Sequence, residues 1–186
     1  MGLPSADDAC QAGCVERFSP GRRPQGPLGI TVTRGFPPVY NNEYLIRALA
    51  LLPEAVQDYR VTFASKGPTF AATRALADTL LPTSVRRRVE FLGGVSNDTL
   101  RDALKSSDLY VSLSTRDGTS TSLLEALACG VFSLLSDIPA NREWIDGSTG
   151  LLVPLGRPEV LAAAPQRALQ DAALRRRAAK LNRKLV

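Results

Sequence analysis

Two carboxylates stand in one short stretch, STRDGTSTSLLEALACG, residues 114 to 130. Asp117 opens a run of small polar residues, and Glu125 sits alone among leucine and alanine. The stretch reads as a turn from a strand into a helix. Gly118 lets the backbone turn sharply or approach a ligand. Thr119, Ser120, Thr121 or Ser122 is able to cap the helix that follows. The first-turn N–H groups of such a helix favour an anion, so the turn suits a diphosphate. A cap and nothing more is the plainer reading of the same residues. The stretch matches neither a Walker loop nor GxGxxG, which removes support for nucleotide hydrolysis and dinucleotide redox chemistry.

Glu125 poses the sharper question. On the helix, Leu123, Leu124, Leu127 and Ala128 form the apolar stripe. Glu125 lies roughly 100° from Leu124, at the edge of that stripe. A partly buried carboxylate needs donors. A ribose diol supplies two, and a nearby Arg or Lys supplies an ion pair; spacing alone favours the ion pair.

These residues are positioned by a regular alternation that begins at Leu28. LGITVTR, YRVTFAS, RVEFLGG, DLYVSLS, VFSLLS and GLLVPL read as six strands. Between them lie the helical patterns NNEYLIRALALLP, TFAATRALADTLL, NDTLRDALKSS (capped by Ser96) and TSLLEALACG, with Gly130 just past its end. The tail from Arg157 is helical. Pro165 costs ~3 kcal/mol inside a helix, which predicts two helices or a kink there. Strand–helix alternation at this spacing predicts an α/β fold with a Rossmann-like, doubly wound parallel sheet. Such sheets bind ligands at the carboxyl ends of their strands, and Asp117 follows the fourth strand directly. Residues 1–27, rich in Pro, Gly and charge, read as a lead or linker segment, and residues 28–186 as one domain.

Composition narrows the chemistry. The chain has 186 residues, enough for one domain with a sizeable core. It contains no histidine, which excludes a His base and a His-ligated metal within this chain. No carboxylate cluster suggests a metal, and no cofactor is implied. Three cysteines, Cys10, Cys14 and Cys129, without a CxxC pair point to a reducing, cytoplasmic setting. No stretch reaches the ~18 apolar residues of a membrane span, and the N-terminus does not read as a signal peptide. The formal charge is +5, concentrated in RRR at 86 to 88 and LRRRAAKLNRK from 174. These runs are solvated helix faces or contacts for phosphorylated or anionic-lipid surfaces. No aromatic residues interleave with them, which argues against nucleic acid.

The spacing of Asp117 and Glu125, followed by ALACG, resembles the acid-x7-acid signature of the retaining glycosyltransferases of family four, which have the two-lobed B-type fold. FLGGVSNDTLRDALKSSDLYVSLS is similar to the family's stretch before that signature, and SDIPANREWIDGSTGLLVP to the stretch after it. ITVTRGF resembles the first strand of the nucleotide-binding lobe, which ends in an Arg. GCVERFSPG, residues 13 to 21, looks like the segment that joins the lobes. The resemblance covers roughly residues 13 to 186. It implies a single lobe of the two-lobed glycosyltransferase B-type fold, the C-terminal donor-binding lobe.

The resemblance assigns Glu125 to the ribose of a nucleotide-diphosphate sugar, Asp117 to the neighbourhood of the donor sugar, and Gly118, Thr119 and Ser120 to the loop approaching sugar and diphosphate. Asp117 is shorter than the family's usual Glu. Arg34 aligns with a phosphate-binding Arg, and otherwise reads as an exposed ion-pair partner. The family's Lys a few residues later has no counterpart in PPVYNN. Glu143 reads as structural and Trp144 as a core residue.

The implied activity is retaining transfer of a hexose to an acceptor hydroxyl, on a glycan or a lipid-linked acceptor, with no metal. The acceptor lobe of the family is missing from this chain. It is therefore a fragment, a partner of a separate acceptor-lobe protein, or a decayed remnant. The rival readings are a nucleotide-sugar-binding module without turnover and a sugar-nucleotide epimerase of similar fold; the lack of histidine weighs against the latter. The expected location is cytoplasmic, with peripheral contact at the inner membrane face as an extension.

Overall fold

Short apolar strands and amphipathic helices follow one another in the computed structural model, which describes residues 18–21, 26–53, 56 and 58–186. Strands β1 (Leu28–Val32), β2 (Tyr59–Phe63), β3 (Val89–Phe91), β4 (Leu109–Ser112), β5 (Phe132–Ser136) and β6 (Gly150–Val153) form one sheet in the order β3-β2-β1-β4-β5-β6. Every neighbouring pair is parallel. All six strands expected from the sequence are present. β4 and β5 are buried at every residue, as strands covered on both faces must be.

The helices are α1 (Asn42–Ala50), α2 (Phe70–Leu80), α3 (Thr83–Arg86), α4 (Asn97–Ser106), α5 (Thr121–Ala128), α6 (Pro139–Arg142), α7 (Pro158–Gln170) and α8 (Ala172–Asn182). A 3₁₀ turn, Pro38–Tyr40, precedes α1. The larger core cluster joins α1, α7 and α8 to the sheet; Phe36, Phe63, Phe70 and Phe91 pack within it, and the Phe63 and Phe91 rings stack at 4.8 Å. The second cluster lies around α4 and α5, and Phe18 and Trp144 pack against it.

Local signals set several boundaries. The Ser96 hydroxyl accepts from Thr99 N at 3.2 Å and starts α4. α5 ends in a Schellman turn. Val131 N–H donates to Ala126 O at 3.0 Å and Gly130 N–H to Leu127 O at 2.8 Å, with Gly130 at φ 66°. α5 is buried on more faces than the expected stripe, since Ala126 is also buried.

The tail differs from expectation. α7 runs on through Pro165, and the break falls at Asp171, whose carboxylate caps α8 by accepting from Leu174 N at 2.8 Å. Pro165 lies on the buried side of α7 with Leu161, Ala162, Ala168 and Leu169. Burial of that face against α1 and the sheet offsets the missing N–H. α3 and α6, each one turn, were not legible as helices. The lead expected over residues 1–27 falls largely outside the described residues, as do Cys10 and Cys14.

Gly150 opens β6 where a side chain has no room. A Cβ there would overlap Ser133 O and lie 2.9 Å from Ile145 Cγ2. Gly150→Ala is expected to lower stability by about 1–3 kcal/mol through overpacking, read as a lower midpoint in thermal or urea unfolding.

Candidate functional site

The site forms where the sheet changes direction. β1 and β4 are central neighbours, and the chain continues outward from them on opposite sides. The loop after β1 carries Arg34, and the loop after β4 carries Asp117 through Ser120.

Several interactions fix the β1 loop. Phe36 is fully buried, and its carbonyl accepts from Thr69 N at 2.8 Å and Thr69 Oγ1 at 2.7 Å. Asn42 Nδ2 donates to Gly35 O at 2.8 Å. Two further bonds join this loop to the β4 loop. Asn41 Nδ2 donates to Leu113 O at 2.9 Å, and Thr115 N–H donates to Val39 O at 2.9 Å. The β4 loop is anchored in turn by the buried Ser136 hydroxyl, which donates to Ser114 O.

This scaffold brings Arg34, Asp117 and Ser120 together. Arg34 Nη2 meets Asp117 Oδ2 at 2.7 Å, and Nη1 donates to Ser120 Oγ at 2.9 Å. Asp117 also accepts from Ser114 Oγ at 3.3 Å and from Gly118 N at 3.1 Å. The ion pair is well shielded, with side-chain exposures of 13% for Arg34 and 18% for Asp117. Arg34 is therefore an ion-pair partner, as its plainer reading had it, but a shielded one. Arg34 Nε has no partner among the described residues. The Tyr40 ring covers the guanidinium, with Cζ 4.1 Å from its centroid.

Ser120 occupies the N-cap of α5, yet its side chain makes no capping bond. Its hydroxyl accepts from Arg34 instead. Gly118 and Thr119 are exposed beside it. Ser120 O already takes the Leu123 N–H at 2.9 Å, so the N–H groups of Thr121 and Ser122 are what the first turn of α5 offers beside the guanidinium, an arrangement suited to an anion.

Glu125 stands further along α5, half-buried, with no ion pair or side-chain hydrogen bond among the described residues. The Arg or Lys partner favoured by spacing is not present there. Burial raises its carboxyl well above the usual range, to about 7. The group stays half-ionised near neutrality and has lone pairs to offer a donor.

Trp144 packs against the second core cluster, in agreement with a core role, and Glu143 is exposed. Among the described residues no group of three potential metal ligands converges, and no helix is long and apolar enough to cross a membrane. Cys129 is buried at the end of α5. The participant that sequence reading missed is Tyr40. Its only signal was an aromatic residue in PPVYNN, the same loop that lacks the family's lysine.

The family model "Glycosyl transferases group 1" matches residues 16–185. The chain belongs to that family. It is 31% identical over 117 residues to the putative glycosyltransferase EpsD of Bacillus subtilis, covering 62% of this chain and 29% of that protein. The C-terminal domain of the group 1 glycosyltransferase LpcC from Francisella tularensis superposes with a TM-score of 0.76 at 18% identity, covering 95% of this chain and 90% of that one. Anabaena HepE, solved with UDP, gives a TM-score of 0.75 at 18% identity over 99% of this chain and 48% of its own. The six-stranded parallel sheet thus has the fold of the Rossmann-like C-terminal lobes of B-type glycosyltransferases. The chain spans roughly a third of the length of the curated relatives it matches.

The raised carboxyl has a testable sign. The folded value of about 7 exceeds the ordinary 4.5, so the folded chain holds this proton more tightly than the unfolded chain. Stability linked to Glu125 is complete below the unfolded value and is lost as pH rises through about 7. In the ligand-free chain, Glu125→Gln should melt above the parent at pH 8, with the gap closing at pH 5. Thermal unfolding at the two pH values reads this directly.

Proposed function

We propose that this chain is the donor lobe of a retaining hexosyltransferase of the family-four kind, binding a nucleotide-diphosphate sugar as substrate. One observation carries the reading. A shielded guanidinium, held by Asp117 and Ser120, stands at the N-terminus of α5. Further along α5 is the Glu125 carboxylate, half-buried and with no partner among the described residues.

Arg34 and the first-turn N–H groups of α5 would take the diphosphate and stabilise its charge as the sugar bond breaks. Arg34 then exchanges its contact with Asp117 for phosphate oxygens, which frees Asp117 to accept from a hydroxyl of the donor sugar. Gly118 and Thr119 approach the sugar and diphosphate through backbone. The ribose diol donates to Glu125, answering its lack of a partner, and favours its ionised form. The acceptor, a glycan or a lipid-linked hydroxyl, belongs to a second lobe, supplied by a longer polypeptide or a separate protein. The other reading is a module that binds a nucleotide sugar without turning it over.

Calorimetric titration of the purified chain with UDP, GDP and ADP tests the donor reading and names the base. Glu125→Ala should weaken the bound nucleotide about 10-fold or more, the loss of hydrogen bonds to a charged group. Affinity in the parent should rise between pH 6 and pH 8 as Glu125 ionises. A folded chain that binds none of the three overturns the proposal. Transfer to a free hexose by the chain alone, incubated with a nucleotide sugar, would exclude the binding-only module.

The proposed setting is cytoplasmic with peripheral contact at the inner membrane face. The support is α8 and its end, where Arg176, Arg177, Lys180, Arg183 and Lys184 are exposed. Vesicles with 30% anionic lipid should co-sediment the parent and release it at high salt, while Lys180→Glu with Arg183→Glu should stay in the supernatant.

A further inference from the structure

The contact between Tyr40 and Arg34 has no place in the site as read from the sequence. Tyr40 belongs to neither hydrophobic core cluster. Its ring instead covers the guanidinium, 4.1 Å from Cζ. The backbone takes an unusual path to put it there. Asn41, the next residue, has φ 45° and ψ 40°, the left-handed conformation, which among non-glycine residues asparagine adopts most readily. Asn41 Nδ2 bonds Leu113 O at 2.9 Å, and Val39 O accepts from Thr115 N at 2.9 Å. These two bonds fasten the chain on both sides of Tyr40 to the loop that carries Asp117. The ring and the ion pair are therefore held by one piece of structure.

We infer that Tyr40 is a positioning residue for Arg34, holding the guanidinium against the N-terminus of α5, where it receives the diphosphate. The inference rests on the donor-lobe reading. A long, mobile arginine loses rotamer freedom when it captures an anion. Here that freedom is already restricted: Tyr40 covers one face, while Asp117 and Ser120 hold two nitrogens in the plane. When phosphate replaces Asp117, the ring contact persists, because it engages the face and leaves the N–H edge free. Residues 35–46, the rest of the β1 loop and the start of α1, contain no Lys or Arg, so Arg34 is the cation this part of the chain offers to an anion.

The test uses Tyr40→Phe, Tyr40→Leu and Tyr40→Met, titrated with UDP, GDP and ADP and with the matching nucleosides. Tyr40→Phe keeps the ring and should bind the diphosphate within about twofold of the parent. Tyr40→Leu should weaken the diphosphate by about 3- to 30-fold, the span of a cation–π contact, with nucleoside affinity unchanged. Tyr40→Met serves in its place if the leucine variant melts early. In an Arg34→Ala background, Tyr40→Leu should have no further effect. Diphosphate affinity in Tyr40→Leu or Tyr40→Met equal to that of the parent, or full additivity with Arg34→Ala, overturns the inference alone. A parent that binds no nucleotide overturns the donor reading and this inference with it.

Discussion

The pairing of β1 with β4 at the middle of the sheet is the constraint from which the site follows. It is short, joining Ile30 to Leu109 and Thr31 to Tyr110. Gly29 and Asp108 extend it: Asp108 N–H donates to Gly29 O at 2.8 Å, and Gly29 N–H donates to the Asp108 carboxylate at 3.0 Å. From this seam the strand order runs outward both ways. The chain leaving β1 enters α1, in one core cluster, and the chain leaving β4 enters α5, in the other. The two loops therefore leave the carboxyl ends of neighbouring strands toward opposite halves of the sheet. Arg34 stands on one loop and Asp117 on the other.

The carboxyl ends of these strands gather features that a stable fold otherwise avoids. Among the described residues Glu125 is half-buried without a partner and Arg34 Nε is unsatisfied, and Asn41 adopts a left-handed conformation. Each is unfavourable in the empty site. They persist because the surroundings are over-determined: β4 and β5 are wholly buried, and Phe36 locks the β1 loop into an aromatic cluster. Concentration of such costs at one sheet edge is what a site for a charged, hydroxyl-rich ligand requires.

Much of the architecture was legible because its signals are local. Alternating apolar runs named the six strands, Ser96 marked the start of α4, and Gly130 marked the end of α5. Helices α3 and α6 were missed because one turn is too short to show periodicity. The break at Asp171 was misplaced to Pro165 because the proline rule weighs only the backbone, whereas burial of Leu161, Ala168 and Leu169 keeps α7 continuous.

For the site, the residue types at 117 to 125 could be named from the chain alone, because a strand-to-helix turn is a local fact, whereas Arg34 was named through the family resemblance. Their partners could not. Arg34 and Asp117 are 83 residues apart, and whether they meet depends on which strands lie side by side. The ion pair favoured for Glu125 is not found among the described residues, and spacing could not decide it: a carboxylate's partner is set by whatever the fold packs against it. The sequence by itself determined the elements, their order and the chemical groups available. Tertiary structure decided that Arg34 faces Asp117 and Ser120, that Tyr40 lies over it, and that Glu125 stands without a described partner. Hydrogen bonding between strands distant in the chain is what brings those groups within reach.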